Sequence, residues 1–90
     1  MYNISRHSFI QAAKLGVKIA PSTRKGKKID VYKNGVKIAS IGALGYLDYP
    51  GYKKKFGKKI ADKRRAAYYT RHKKDIVKNK PGFYAAKILW

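Results

Sequence analysis

Apolar and polar positions alternate most regularly in KIDVYKNGVKIAS, Lys28 to Ser40, where two short runs flank Asn34-Gly35. Asn-Gly supplies the two positive φ angles of a type I′ turn, whose twist matches paired strands, so the segment reads as a two-residue β-hairpin over about 28–40. That turn pairs Val31 with Ile38 and Tyr32 with Lys37. Ile29, Val31, Val36 and Ile38 then line one face, and Asp30, Tyr32 and Lys37 form a half-polar face open to contact. An isolated hairpin is marginal, so its apolar face needs a helix or a third strand, for which Val17 to Ala20 is the candidate.

The rest of the chain reads as helices and turns. In residues 1–20, Ser5 or Ser8 can cap a short helix whose face is Phe9, Ala12, Ala13 and Leu15, with Gly16 as its stop. PSTRKGKK, Pro21 to Lys28, combines turn formers with positive charge and no apolar anchor, which marks a loop or arm free to stay mobile without a partner. After a Gly- and Tyr-rich bend, Asp48 and Tyr49-Pro50 form an N-cap with proline in the first turn. The helix that follows carries Tyr52 and Phe56 and stops at Gly57. A second, longer helix runs from about 58 to 78, and a last one begins after Asn79, a possible cap, with Pro81 in its first turn. The expected fold is α+β: one small domain of 90 residues, with 1–26 an N-terminal helix plus basic arm, and 27–90 a hairpin packed by three or four helices in all.

On a helical wheel the long segment has no clean apolar stripe. Ile60, Arg64, Ala67, Tyr68, Arg71 and Asp75 share about a third of the circle, Lys63 and Lys74 flank one side, and Arg65, Tyr69, His72 and Lys73 occupy the rest. Arg71 and Asp75 at i,i+4 offer one ion pair, worth ~0.3–0.5 kcal/mol. A bland reading lets Arg64 and Arg71 lay their stems on the core and bond Asp48, Asp75 or carbonyls. The functional reading gathers the lysines on one side of two consecutive helices, facing phosphates.

Charge sharpens that choice. Lys and Arg number 23 against four Asp and no Glu, a formal net charge of +19. A compact state so charged repels itself, and a polyanion relieves the repulsion. Nucleic acid, an anionic membrane surface and the acidic inner face of a protein shell are the three candidates, and composition does not separate them. At 44% hydrophobic residues with eight Tyr, the chain should fold rather than remain a basic tail. The absence of cysteine excludes disulfides and thiolate metal sites. No apolar run approaches a membrane span or a signal core, so the expectation is a soluble protein not secreted by a standard signal peptide.

Candidate chemistry is sparse. Asp30, Asp48, Asp62 and Asp75 are isolated, and with His7 and His72 they compose no metal, nuclease or triad motif. Tyr68 or Tyr69 beside Arg64, Arg71 and His72 is the one arrangement resembling a nucleophile site, and it matches nothing specific. The expectation is therefore no enzyme, no metal and no cofactor. The candidate nucleic-acid contacts are Arg24, Lys25, Lys27 and Lys28 in the arm, Lys33 and Lys37 on the hairpin, Lys53, Lys54, Lys55, Lys58 and Lys59 along the helices, and Arg65, Tyr69, Lys73 and Lys74 beyond them. Tyr46, Tyr49, Tyr52, Tyr68 and Tyr69 either stack on unpaired bases or, more commonly for a small domain, serve the core.

The segments DVYKNGVKIASIGALGYLDYPGY, ADKRRAAYYTRH and PGFYAAKILW resemble a small basic protein family of large double-stranded DNA viruses, over about residues 27–90. The resemblance implies a viral origin and a place in the virion, or in host cytoplasm or nucleus during assembly, and carries no catalytic residues with it. In that setting the chain is expected to bind or package DNA without sequence preference. The alternative is a minor capsid protein whose cations join acidic shell subunits while Phe83, Ile88, Leu89 and Trp90 dock into a neighbour.

Overall fold

The Asn34-Gly35 turn forms as its chemistry requires, with φ of 53° and 78° at the two residues. The computed structural model describes residues 2–78 and 80–90; the possible cap Asn79 lies outside them. Helix α1 (Arg6–Leu15) leads into β1 (Lys18–Pro21), β2 (Lys27–Lys33) and β3 (Val36–Ala43), and α2 (Tyr49–Phe56), α3 (Lys58–Arg71) and α4 (Pro81–Leu89) follow. The strands make one antiparallel sheet in the order β1-β2-β3, so Val17–Ala20 does contribute a third strand and the fold is α+β.

The hairpin register differs from the simple two-residue expectation. Tyr32 pairs with Lys37, but Val31 pairs with Ala39, because a bulge interrupts the ladder between Val31 and Tyr32 and leaves Ile38 as the extra residue. The reason is visible in what the shift brings together. An unbulged ladder would set Ser40 opposite Ile29 in the core; with the bulge, Ile41 takes that place and Ser40 sits opposite Asp30. Ser40 Oγ then donates to Asp30 Oδ1 at 2.7 Å. Ile29, Val31, Ala39 and Ile41 are buried, whereas Val36 and Ile38, expected on the same inner face, are exposed at the turn end of the hairpin.

The core lies between that face of the sheet and helices α1 and α4. It joins Ala12, Val17, Ile29, Val31, Ala39, Ile41, Tyr84, Ile88 and Leu89. Each large aliphatic side chain fully withdrawn there contributes about 1.5–3 kcal/mol. Ser5 caps α1 by accepting from Ser8 N, and Gly16 ends it in the left-handed region with its N–H on Ala12 and Ala13 carbonyls. The inward residues of α1 are Ser8 and Ala12, with Leu15 partly covered; Phe9 and Ala13 face outward. Ser8 Oγ donates to the Ile88 carbonyl at 2.9 Å and so locks α1 to α4.

Pro21–Lys28 is not a free arm. Ser22 N donates to Lys28 O and Lys27 N to Arg24 O, closing a short connection between β1 and β2. Asp30, expected on an open face, is fully buried beneath it, accepting from Ser22 Oγ at 2.6 Å and from Thr23 N at 3.2 Å, with Lys37 Nζ at 3.7 Å. A buried carboxylate is tolerated only when its lone pairs are met in this way.

Candidate nucleic-acid interface

Helices α2 and α3 form one packed pair joined by Gly57 alone. Asp48 caps α2 by accepting from Gly51 N, with Pro50 in the first turn. Gly57 has φ 94° and ψ 167°, a region essentially reserved for glycine, and it ends α2 while opening α3. The chain thus reverses direction without a loop. Lys53, Lys54, Lys55, Lys58 and Lys59 are brought around one tight joint, and all are exposed.

The start of α3 is electrostatically unusual. Gly57 gives no side-chain cap and the first turn has no acid, so Lys58 and Lys59 sit at the positive end of the helix dipole. Asp62 offsets Lys58 and leaves Lys59 without a carboxylate. Its carboxylate accepts from Lys58 Nζ at 2.6 Å, Tyr49 Oη at 2.8 Å and an Arg65 guanidinium nitrogen at 3.3 Å. The hydrogen bond from Lys58, then that from Tyr49, holds the Asp62 carboxyl below its usual range, and the same bond raises Lys58. Arg65 also lies over the Tyr49 ring at 4.3 Å.

Asp30, Asp48 and Asp62 are therefore engaged by the protein's own lysines and arginine, and Asp75, exposed, has only His72 beside it. Asp30 meets Lys37, Asp48 meets Lys28 at 3.1 Å, Asp62 meets Lys58 and Arg65, and Asp75 faces His72 at 3.5 Å. Lys53, Lys54, Lys55, Lys59, Lys63 and Arg64 are exposed and belong to none of these pairs. Their charge is held by the helices yet met by no carboxylate of the chain, which is the condition for attracting a polyanion.

The structure redistributes the other expected contacts. Lys28 is 5% exposed, its Nζ turned inward to Asp48 and the Tyr46 carbonyl, so it is a core cation. Its partner lies twenty residues away, and no local signal marks it. Arg24 and Lys25 are exposed at the β1–β2 connection, Lys27 is half-buried beside them, and Lys33 is exposed at the far end of the hairpin. Lys37 is partly exposed above Asp30. Tyr69 is half-buried and donates to the Ala86 carbonyl at 3.0 Å, joining α3 to α4 rather than waiting for a base.

The long helix ends at Arg71, seven residues before the expected limit, and Lys73–Asp75 form a 3₁₀ turn that presents Lys73 and Lys74 outward. Asp75 consequently pairs with His72 and not with Arg71. The inward side of α3 is also rotated from the wheel: Ala61 is buried, Arg65, Tyr68 and Tyr69 are half-buried, and Ile60 and Arg64 face out. Arg64 lies over the Tyr52 ring at 5.5 Å, without an Asp partner.

Burial pushes the Tyr68 and Tyr69 hydroxyls above the ordinary phenol range. Trp90 stacks on Tyr68 with centroids 4.6 Å apart and planes 13° from parallel. Among the described residues no group of three or more His, Asp or Glu side chains converges as a metal site, and no helix is long and apolar enough to cross a membrane. No protein-family model, curated protein or solved structure matches the chain.

Proposed function

We propose that this chain is a non-enzymatic, sequence-nonspecific nucleic-acid-binding protein whose α2–α3 pair lies against phosphates. The observation that carries the reading is the cluster of exposed cations, Lys53 to Lys55, Lys59, Lys63 and Arg64, outside every ion pair to the four acids. Lysines and arginines on a rigid helical surface neutralise phosphates without reading bases, because the backbone carries no sequence information. The resemblance to small basic proteins of large DNA viruses is the ground for setting that activity in a virus particle, on packaged or packaging DNA.

The shell-joining alternative loses its anchor. Ile88 and Leu89 are buried in the protein's own core, with Phe83 and Trp90 packed against them, so the C-terminal segment has few apolar groups to lend a neighbour. What supports that reading is the set of apolar side chains exposed elsewhere, among them Phe9 and Ile10 on α1, Leu44 and Leu47 in the bend before α2, and Phe56 at its end. Charge reversal separates the two. Lys54→Glu with Lys59→Glu should abolish duplex binding in fluorescence anisotropy while the fold persists by circular dichroism; unchanged binding would refute the proposed surface.

A further inference from the structure

Beside the stacked pair Trp90–Tyr68 the surface opens into a cleft of about 510 Å³, bounded by β3, the bend before α2, and helices α2, α3 and α4. The volume falls within the ~300–1,000 Å³ of small-molecule sites. Its walls are aromatic: Tyr52 has its ring centre 5.9 Å from Trp90, and Tyr46 stands 76% exposed at the edge. Its cations outside the Lys28–Asp48 pair are Arg64 and Arg71, two turns apart on α3, and Lys27 on β2. The one carboxylate in the lining is Asp48, already met by Lys28 and by Tyr2 Oη at 2.6 Å. The cleft is thus apolar on its faces and positive at its rim.

We infer that this cleft takes one unpaired nucleotide of a single strand, with the base stacked on the exposed ring of Tyr46 and its edge toward Trp90, and the flanking phosphates at Arg64 and Arg71. Any of the four bases offers a π-face, so aromatic walls bind single strands without sequence preference. In a duplex both faces of each base are covered by its neighbours, and only the outer cations can engage. Arg64, lying over Tyr52, is held where its guanidinium meets a phosphate and a ring together. The inference rests on the nucleic-acid reading and adds the strand class and the site.

Trp90 is the only tryptophan, so its emission reports the cleft directly. The full chain is titrated with a labelled oligothymidylate of about ten nucleotides, and in parallel with a labelled duplex, following both anisotropy and tryptophan emission. The expected result is saturable quenching of Trp90 by the single strand over the range in which its anisotropy rises, and an anisotropy rise without quenching for the duplex. Tyr46→Ala, at an exposed position, should weaken the single strand about tenfold and leave duplex affinity within about twofold. If both ligands bind with Trp90 emission unmoved, or Tyr46→Ala weakens both alike, the cleft is not a nucleotide site and the phosphate-facing surface stands. If neither ligand binds, the inference falls together with the proposed function.

Discussion

Lys28 Nζ lies 3.1 Å from the Asp48 carboxylate with both side chains 6% exposed, so a buried ion pair fastens β2 to the start of the basic helix pair. Asp48 also caps α2 through Gly51 N and accepts from Tyr2 Oη, which burial and this carboxylate push well above the usual tyrosine range. Removing one partner leaves the other charge buried and uncompensated. Lys28→Ala should therefore lower unfolding free energy by ~3–5 kcal/mol in denaturant titration. Below its melting temperature the variant should bind DNA like the parent; a stable variant with weakened binding would return Lys28 to the interface.

Gly82 is required by packing rather than by backbone angle. A Cβ there would stand 2.2 Å from the Asp75 carbonyl oxygen, so the 3₁₀ turn abuts the first turn of α4 only because no side chain intervenes. Gly82→Ala should cost ~2 kcal/mol or more by thermal melting, since neither backbone can yield cheaply. Gly26→Ala provides the comparison, with open space around it and a φ of 81°; it should cost ~1 kcal/mol, from strain alone.

Asp30 predicts an acid limb. Burial by itself would raise its carboxyl, but hydrogen bonds from Ser22, Ser40 and Thr23 N, aided by Lys37, outweigh burial and lower it to about 2. The folded value lies below the unfolded one of about 3.9. The stabilisation is therefore complete above pH ~4 and disappears as pH falls toward ~2. Unfolding midpoints measured across that range should drop steeply for the parent and less for Asp30→Asn, which begins from lower stability because it loses the charge that its donors satisfy.

His7 acts in a separate window. Its Nε2 is buried without a hydrogen-bond partner among the described residues, and burial, then Arg65, Lys53 and Lys14, hold its pKa below the ordinary value near 6.5 against an opposing pull from Asp48. A base whose folded value is lowered favours unfolding as it charges, so stability should rise with pH from the depressed value up to about 6.5. His7→Gln should remove that rise; a pH-independent parent over the same interval would contradict the burial argument.

The legible parts of this fold are those fixed within a few residues. Asn34-Gly35, the Asp48 cap with Pro50, Gly16, Gly57 and Pro81 each act through their own backbone angle or a bond one turn away. The illegible parts were decided across the fold. Ile38 bulges because Asp30 takes Ser40; Lys28 is buried because Asp48 waits in another element; α3 ends at Arg71 where the chain turns to set Asp75 against Gly82. A run of lysines holds no stop signal and no record of which cation has a partner. The exposure of Lys53, Lys54, Lys55 and Lys59 was legible in the run of charge, while the outward turn of Arg64, the pairing of Lys58 and the roles of Lys28, Arg65 and Tyr69 required the packing.

The most direct measurement is the salt dependence of binding to a duplex of about 30 base pairs. Each phosphate neutralised contributes about −0.9 to the slope of log affinity against log salt. About six contacts from the exposed cations of α2 and α3 predict a slope near −5, with micromolar or tighter binding near physiological salt, and the slope should fall by about 1 for each lysine removed, Lys54 or Lys59. Arg65, engaged by Asp62 and Tyr49, should change stability more than slope. A slope shallower than about −4, or binding that vanishes by moderate salt and is no stronger than to heparin, would contradict the phosphate-facing surface.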